Sequence, residues 1–246
     1  MSGALAGAAP VNEAPDGPLR WMRLGTARFL DACAALDEAA FDAHTPLPGW
    51  TRRHLAAHVA GNADALGNLV RWAATGEPTP MYTSADERRA GIERGATMTG
   101  AELVNRLTRS ATDLAVGLDA LTPDRWTYEV VTAQGRVLPA REIPWLRARE
   151  VCVHTVDLAV GIGFDAFPQD FLKRLTTEAA GKHRAGSGPT VDLTATDIDH
   201  TWRLAGHGEP VVVRAPLADI TAYLTGRVAV LPTESGKPAP ALGAWL

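Results

Sequence analysis

The hydrophobic period of the chain changes near residue 163, and that change limits the fold more than any other feature. Before it, apolar residues recur every three or four positions, as buried helix faces require. In "PLRWMRLGTARFLDACAALDEAAF", Leu19, Met22, Leu30, Cys33 and Leu36 fall on one face and predict a first helix. "HTPLPGW" breaks it with two prolines and a glycine. Thr51 offers an N-cap, and a second helix runs to about Ala74 before "TGEP" ends it. Ser84 caps a short charged helix within "MYTSADERRAGIERGATMT". "GAELVNRLTRSATDLAVGLDAL" is a third strong helix with Leu103, Leu107, Leu114 and Leu118 inward. "TYEVVTAQGRVL" alternates around a glycine and predicts a hairpin or extended loop. "PAREIPWLRAREVCVHTVDLAVG" is the fourth main helix, with Pro139 and Pro144 near its start and Gly161 as its C-cap.

Beyond residue 163, "FPQDFLKRLTTEAAGKHRA" reads as one more helix. Three short β-type runs follow, "VDLTATD", "HTWRLA" and "EPVVVRA", and "PLADITAYLTGR" returns to a helix. The expected architecture is mainly α: a tail over 1–16, an antiparallel helical bundle over 17–163 and a small α/β domain over 164–246. The chain is 46% hydrophobic, enough to core both parts.

A formal net charge of -4 and no basic stripe argue against a nucleic-acid partner. No apolar run approaches the roughly 20 residues that span a bilayer, and the N-terminus lacks the basic start of a signal peptide. Cys33 and Cys152 sit in separate helical patterns, so buried thiols in a reducing cytoplasm are expected rather than a disulfide.

The fourth helix carries Glu150 and His154 at i and i+4, with Asp157 three residues further along the stripe. Alone, Glu-x-x-x-His is a weak signal. The second helix adds "HLAAH": His58 is flanked by Leu55 and Val59 and followed on its face by Ala65 and Leu69, so it points inward. A neutral buried histidine needs hydrogen-bond partners or a metal. His54 falls in the first turn, where a surface or outer supporting role suits it. His58, Glu150 and His154 thus form a nitrogen and oxygen ligand set of the kind found in catalytic zinc sites, with a position left open. Cobalt, nickel or iron also suits such donors. There is no HExxH and no paired CxxC. Trp50 and Trp145 read as core or interface aromatics.

The segment "GWTRRHLAAHVAGNADALGNLVRWAATGEPTPMYTSADERRAGIERGA", with the later "REVCVHTVDL", resembles the mycothiol-dependent maleylpyruvate isomerases. These sit within the wider DinB-like class of metal-binding four-helix proteins. The C-terminal part looks like the small domain, related to sterol-carrier proteins, that such isomerases carry. The resemblance places the metal on the second histidine of "HxxxH" and on the Glu and His of the later helix: His58, Glu150 and His154 here.

The resemblance further implies a divalent metal, first of all Zn2+, and mycothiol as thiol cofactor. Metal coordination turns a thiol of pKa about 8.5 into a thiolate. That thiolate adds to the cis double bond of maleylpyruvate, the new single bond rotates, and the thiolate departs to leave fumarylpyruvate, a step of gentisate degradation. An arginine of the C-terminal domain takes part in the family's catalysis, and "YLTGR" makes Arg227 the candidate. Tyr82 and Arg88 are candidate thiol or substrate contacts, and Asp157 is a candidate acceptor for a ligand histidine's free N–H. A monomer or weak homodimer is expected. Three alternatives share this site: a mycothiol S-transferase, an isomerase of another cis-enoic acid, and a non-enzymatic metal-stabilised binding module.

Overall fold

The computed structural model describes residues 14–183, 188–243 and 245. The tail expected over 1–16 therefore lies, up to residue 13, outside the described residues. The chain divides into two compact units, Met1–Leu158 and Ala159–Leu246.

In the first unit, α1 (Asp16–Ala34), α2 (Arg52–Thr75), α4 (Gly100–Asp119) and α5 (Ile143–Asp157) form a closed ring. α1 packs on α5 and α4, and α2 packs on α4 and α5. The short α3 (Ala85–Ala96) lies on α2. The helix boundaries follow local chemistry. α2 starts after Thr51 and ends at Gly76, which sits left-handed at φ 81° where a side chain would be strained. The Ser84 hydroxyl accepts the Glu87 N–H at the head of α3. Thr99 and Glu102 make a reciprocal capping box at the head of α4. Pro144 falls in the first turn of α5, where its missing N–H costs nothing.

α1 and α5 approach closely because Gly25 has no side chain. A Cβ there would lie 2.5 Å from Cys152 Sγ and 2.7 Å from Val151 Cγ2. Cys33 and Cys152 are both free and buried. The predicted hairpin is present as β1 (Glu129–Val131) paired antiparallel with β2 (Val137–Pro139).

Two expectations need correction. The first helix was expected to reach Phe41, but α1 ends at Ala34; residues 39–42 form a separate 3-10 turn that buries Phe41. Gly161 does take φ 84°, yet it does not cap α5, which ends at Asp157 with Leu158 as its cap.

The second unit contains α6 (Gln169–Lys182), β3 (Pro189–Ala195), β4 (Thr201–Leu204), β5 (His207–Ala215) and α7 (Leu217–Leu224). The sheet order is β4-β3-β5, with β3 antiparallel to β4 and parallel to β5. Phe171, Leu175, Leu193, Val213, Leu217 and Ile220 build its core, each fully buried. α6 and α7 are joined by a buried 2.7 Å hydrogen bond between Thr176 and Thr221. Among the described residues, no helix is long and apolar enough to cross a membrane.

Candidate metal centre

Two facing helices build the site. The inward stripe of α5 runs Arg147, Glu150, His154, Asp157, at spacings of three, four and three. Opposite it, α2 presents His58 and, one turn on, Asn62, both buried. His58 Nε2 lies 3.1 Å from Glu150 Oε2, and His154 Nε2 lies 3.5 Å from the same oxygen. One ligand atom from each of His58, Glu150 and His154 falls within 4.8 Å of the other two. The imidazoles meet edge to face, with centroids 5.0 Å apart.

The hydrogen-bond pattern is one that a cation would complete. Asp157, 1% exposed, sits 2.9 Å from His154 Nδ1. A carboxylate there favours the ring proton on Nδ1, the tautomer in which Nε2 faces Glu150 Oε2 with its lone pair. Two acceptors then face each other and require a proton or a metal between them. Burial disfavours the charged form of His154, but the hydrogen bonds to Asp157 and Glu150 outweigh it and raise the pKa. Burial likewise pushes Glu150 up, yet the two histidines hold the carboxyl well below the usual range. His58 is lowered, first by burial, so it remains a neutral donor. Three such donors, largely shielded from water, fit a divalent ion of the zinc type.

Around this set, Trp50 packs on His58 at 5.3 Å, a neighbour that the sequence reading placed only in the core or an interface. The Arg88 guanidinium comes 3.4 Å from His58 Nδ1 and lies 6.0 Å over the Tyr82 ring. The Tyr82 hydroxyl is raised, chiefly by burial. His54 is not brought to the donors. Its Nδ1 accepts the Thr51 backbone N–H at 3.3 Å and lies 2.8 Å from the Thr51 hydroxyl, while Nε2 faces Glu93 at 3.7 Å. It braces the head of α2 from a partly exposed position. Arg227 follows α7 in the second unit, where its Nη1 donates to the Thr225 carbonyl.

Arg147 was missed. It is 2% exposed and donates from Nη1 to the Val59 carbonyl at 2.7 Å and to Asn62 Oδ1 at 2.9 Å. Burial pushes its pKa down to about 10. The signal was present in the sequence, because Arg147 shares the Glu150–His154 stripe at heptad spacing.

A two-histidine, one-glutamate cluster inside a four-helix ring defines a helical-bundle protein with a candidate metal site. Residues 22–159 match the mycothiol maleylpyruvate isomerase N-terminal domain family. The chain belongs to the mycothiol-dependent maleylpyruvate isomerase family. The crystal structure of the mycothiol-dependent maleylpyruvate isomerase is 36% identical, with TM-score 0.86, over 96% of this chain and 97% of that one. A mutant of that enzyme matches to the same extent. YfiT from Bacillus subtilis, described as "a probable metal-dependent hydrolase with an unusual four-helix bundle topology", is 14% identical with TM-score 0.50. It covers 65% of this chain and 91% of its own, a likeness of fold alone. No curated protein matches the chain.

Proposed function

We propose that this protein converts maleylpyruvate to fumarylpyruvate with mycothiol, at a divalent metal held by His58, Glu150 and His154. One observation carries the reading: the three donors converge within 4.8 Å in a chain 36% identical to that isomerase over nearly its whole length. The donor chemistry favours zinc. Such an ion supplies Lewis acidity that keeps a thiol in its thiolate form at neutral pH.

The chain's own residues supply the rest. Asp157 holds His154 in the tautomer that offers Nε2. When His58 Nε2 is a metal ligand, its ring proton sits on Nδ1, which then no longer accepts from Arg88. The guanidinium becomes available to an anion, with Tyr82 beside it. Trp50 shields one side of His58 from water. The nucleophile has to come from outside, because the chain's two cysteines are buried and burial raises both thiols, Cys33 to about 12. Free thiols of this kind also suit a reducing cytoplasm. Arg227 is proposed as a catalytic cation toward the substrate, a role supported by its place in the family pattern. The metal-binding bundle is assigned to 17–163 and the α/β domain to 164–246.

The test is NMR of maleylpyruvate with the zinc-loaded protein, with and without mycothiol. Cis-to-trans conversion with no net loss of thiol is expected. Consumption of one thiol per turnover marks an S-transferase instead, and no conversion at full metal occupancy overturns the assignment.

A further inference from the structure

Arg147 is a buried cation whose Nη1 donors are matched and whose Nε is not. A guanidinium has five N–H groups. The two on Nη1 are matched by its two acceptors, the Val59 carbonyl and Asn62 Oδ1, both on α2. Nε is buried and has no partner, and among the described residues the hydrogen bonds of the guanidinium come from Nη1, leaving Nη2, which is not sealed off as Nε is, beside it. Nε–H and one Nη2–H point the same way from the same edge of the plane. This is the fork that grips a carboxylate with two parallel hydrogen bonds.

Leaving the buried Nε–H without an acceptor costs free energy, and a core brace alone does not need it. Two hydrogen bonds from Nη1 would already tie α2 to α5. Unpaired buried donors in folded proteins are rare and concentrate where a ligand or water completes them. The position agrees. Arg147 is one turn from Glu150 on α5, and its partner Asn62 is one turn from His58 on α2, so the guanidinium occupies the layer next to the metal donors. Glu150, Asp64 and Tyr82 all lie within its electrostatic reach.

We propose that the Nε–Nη2 edge of Arg147 seats a carboxylate of the substrate, with Val59 and Asn62 holding the guanidinium in register beside the metal. Arg147 is then a specificity-determining residue that makes the site select dianions. The inference rests on the substrate of the proposed isomerase being a dicarboxylate.

Maleate is the probe, because it carries two cis carboxylates. Its Kd is measured on zinc-loaded wild type, Arg147→Lys and Arg147→Gln, with zinc affinity and the melting midpoint recorded for each. Loss of a charged, paired contact is expected to weaken maleate roughly 10- to 150-fold. Lys, which keeps charge but not the fork, should fall at the lower end and Gln at the upper. Zinc affinity should change less than about threefold if the outer arrangement of the ligands is intact. In wild type, titrating maleate should move the Arg147 Nε–H resonance downfield, an arm that holds even if a variant does not fold. An Nε–H resonance that stays still as maleate saturates overturns the proposal, as does unchanged maleate affinity in folded Arg147→Lys. Zinc affinity that falls as far as maleate affinity makes Arg147 a brace only and also overturns it. Wild type that binds maleate through Arg147 but leaves maleylpyruvate unconverted keeps this inference and sinks the isomerase assignment; normal turnover with an unmoved resonance does the reverse.

Discussion

α4 and α5 belong to the same ring of helices, yet their inward faces have opposite characters. α4 turns Leu103, Leu107, Leu114 and Leu118 inward, all buried, with Ser110 as the polar exception. α5 turns Arg147, Glu150, His154 and Asp157 inward. Each buried leucine contributes about 1.5–3 kcal/mol by leaving water. Each buried charge on α5 costs free energy unless partnered. The partners are present: Glu150 with two histidines, Asp157 with His154, Arg147 with Asn62 and a carbonyl. α4 therefore contributes an apolar face, while α5 carries a polar column on one side and packs Trp145, Val151 and Cys152 against α1 on another. The difference is a matter of which face is asked to fold and which to bind.

This division can be broken experimentally. The largest effect is expected for Glu150→Ala, which removes the oxygen shared by both histidines. Metal analysis should show loss of stoichiometric zinc, and turnover should vanish with it; retention of one equivalent would move the site elsewhere. Leu107→Ala should lower stability by about 2–5 kcal/mol, read by denaturant unfolding. The protein that remains folded should bind zinc as wild type does, and a weakened site would mean that the apolar and polar helices are not separable.

Asp157→Asn is smaller still. It keeps the shape but loses the carboxylate that orients His154, and zinc affinity measured by chelator competition should drop roughly 10–100-fold. The same balance gives a pH dependence. The pKa of His154 is raised from 6.5 in the metal-free protein, so below that raised value zinc must displace a proton. Apparent zinc affinity should climb about tenfold per pH unit through the interval above 6.5 and level off once His154 is deprotonated. An affinity independent of pH across that interval would contradict the His154 assignment. The smallest effect belongs to His54→Ala, which should cost about 1 kcal/mol as a lost helix cap and leave zinc bound. Loss of metal in that variant would bring His54 into the ligand set.

Much of this was readable from the sequence, for local reasons. Thr51, Gly76, Ser84 and Thr99 mark helix ends because their side chains, or the lack of one, satisfy backbone groups within a few residues. His58 could be separated from His54 because apolar neighbours at helical spacing report which face is buried. The end of α1 was overestimated, since apolar residues continue at a tolerable spacing into the 3-10 turn that buries Phe41.

What the chain alone determined, then, is the set of helices, the faces they bury and the candidate donors, because each depends on spacing within one element. What only the tertiary structure decided lies between elements. The pairing of α2 with α5 brought Asn62 and the Val59 carbonyl to one nitrogen of Arg147 and left its buried Nε without a partner. It also set His58 Nε2 against Glu150 Oε2 and the His58 ring against that of His154. Those contacts join residues about ninety positions apart, and a distance of a few ångströms across a helix interface is a property of packing that no period in the sequence encodes.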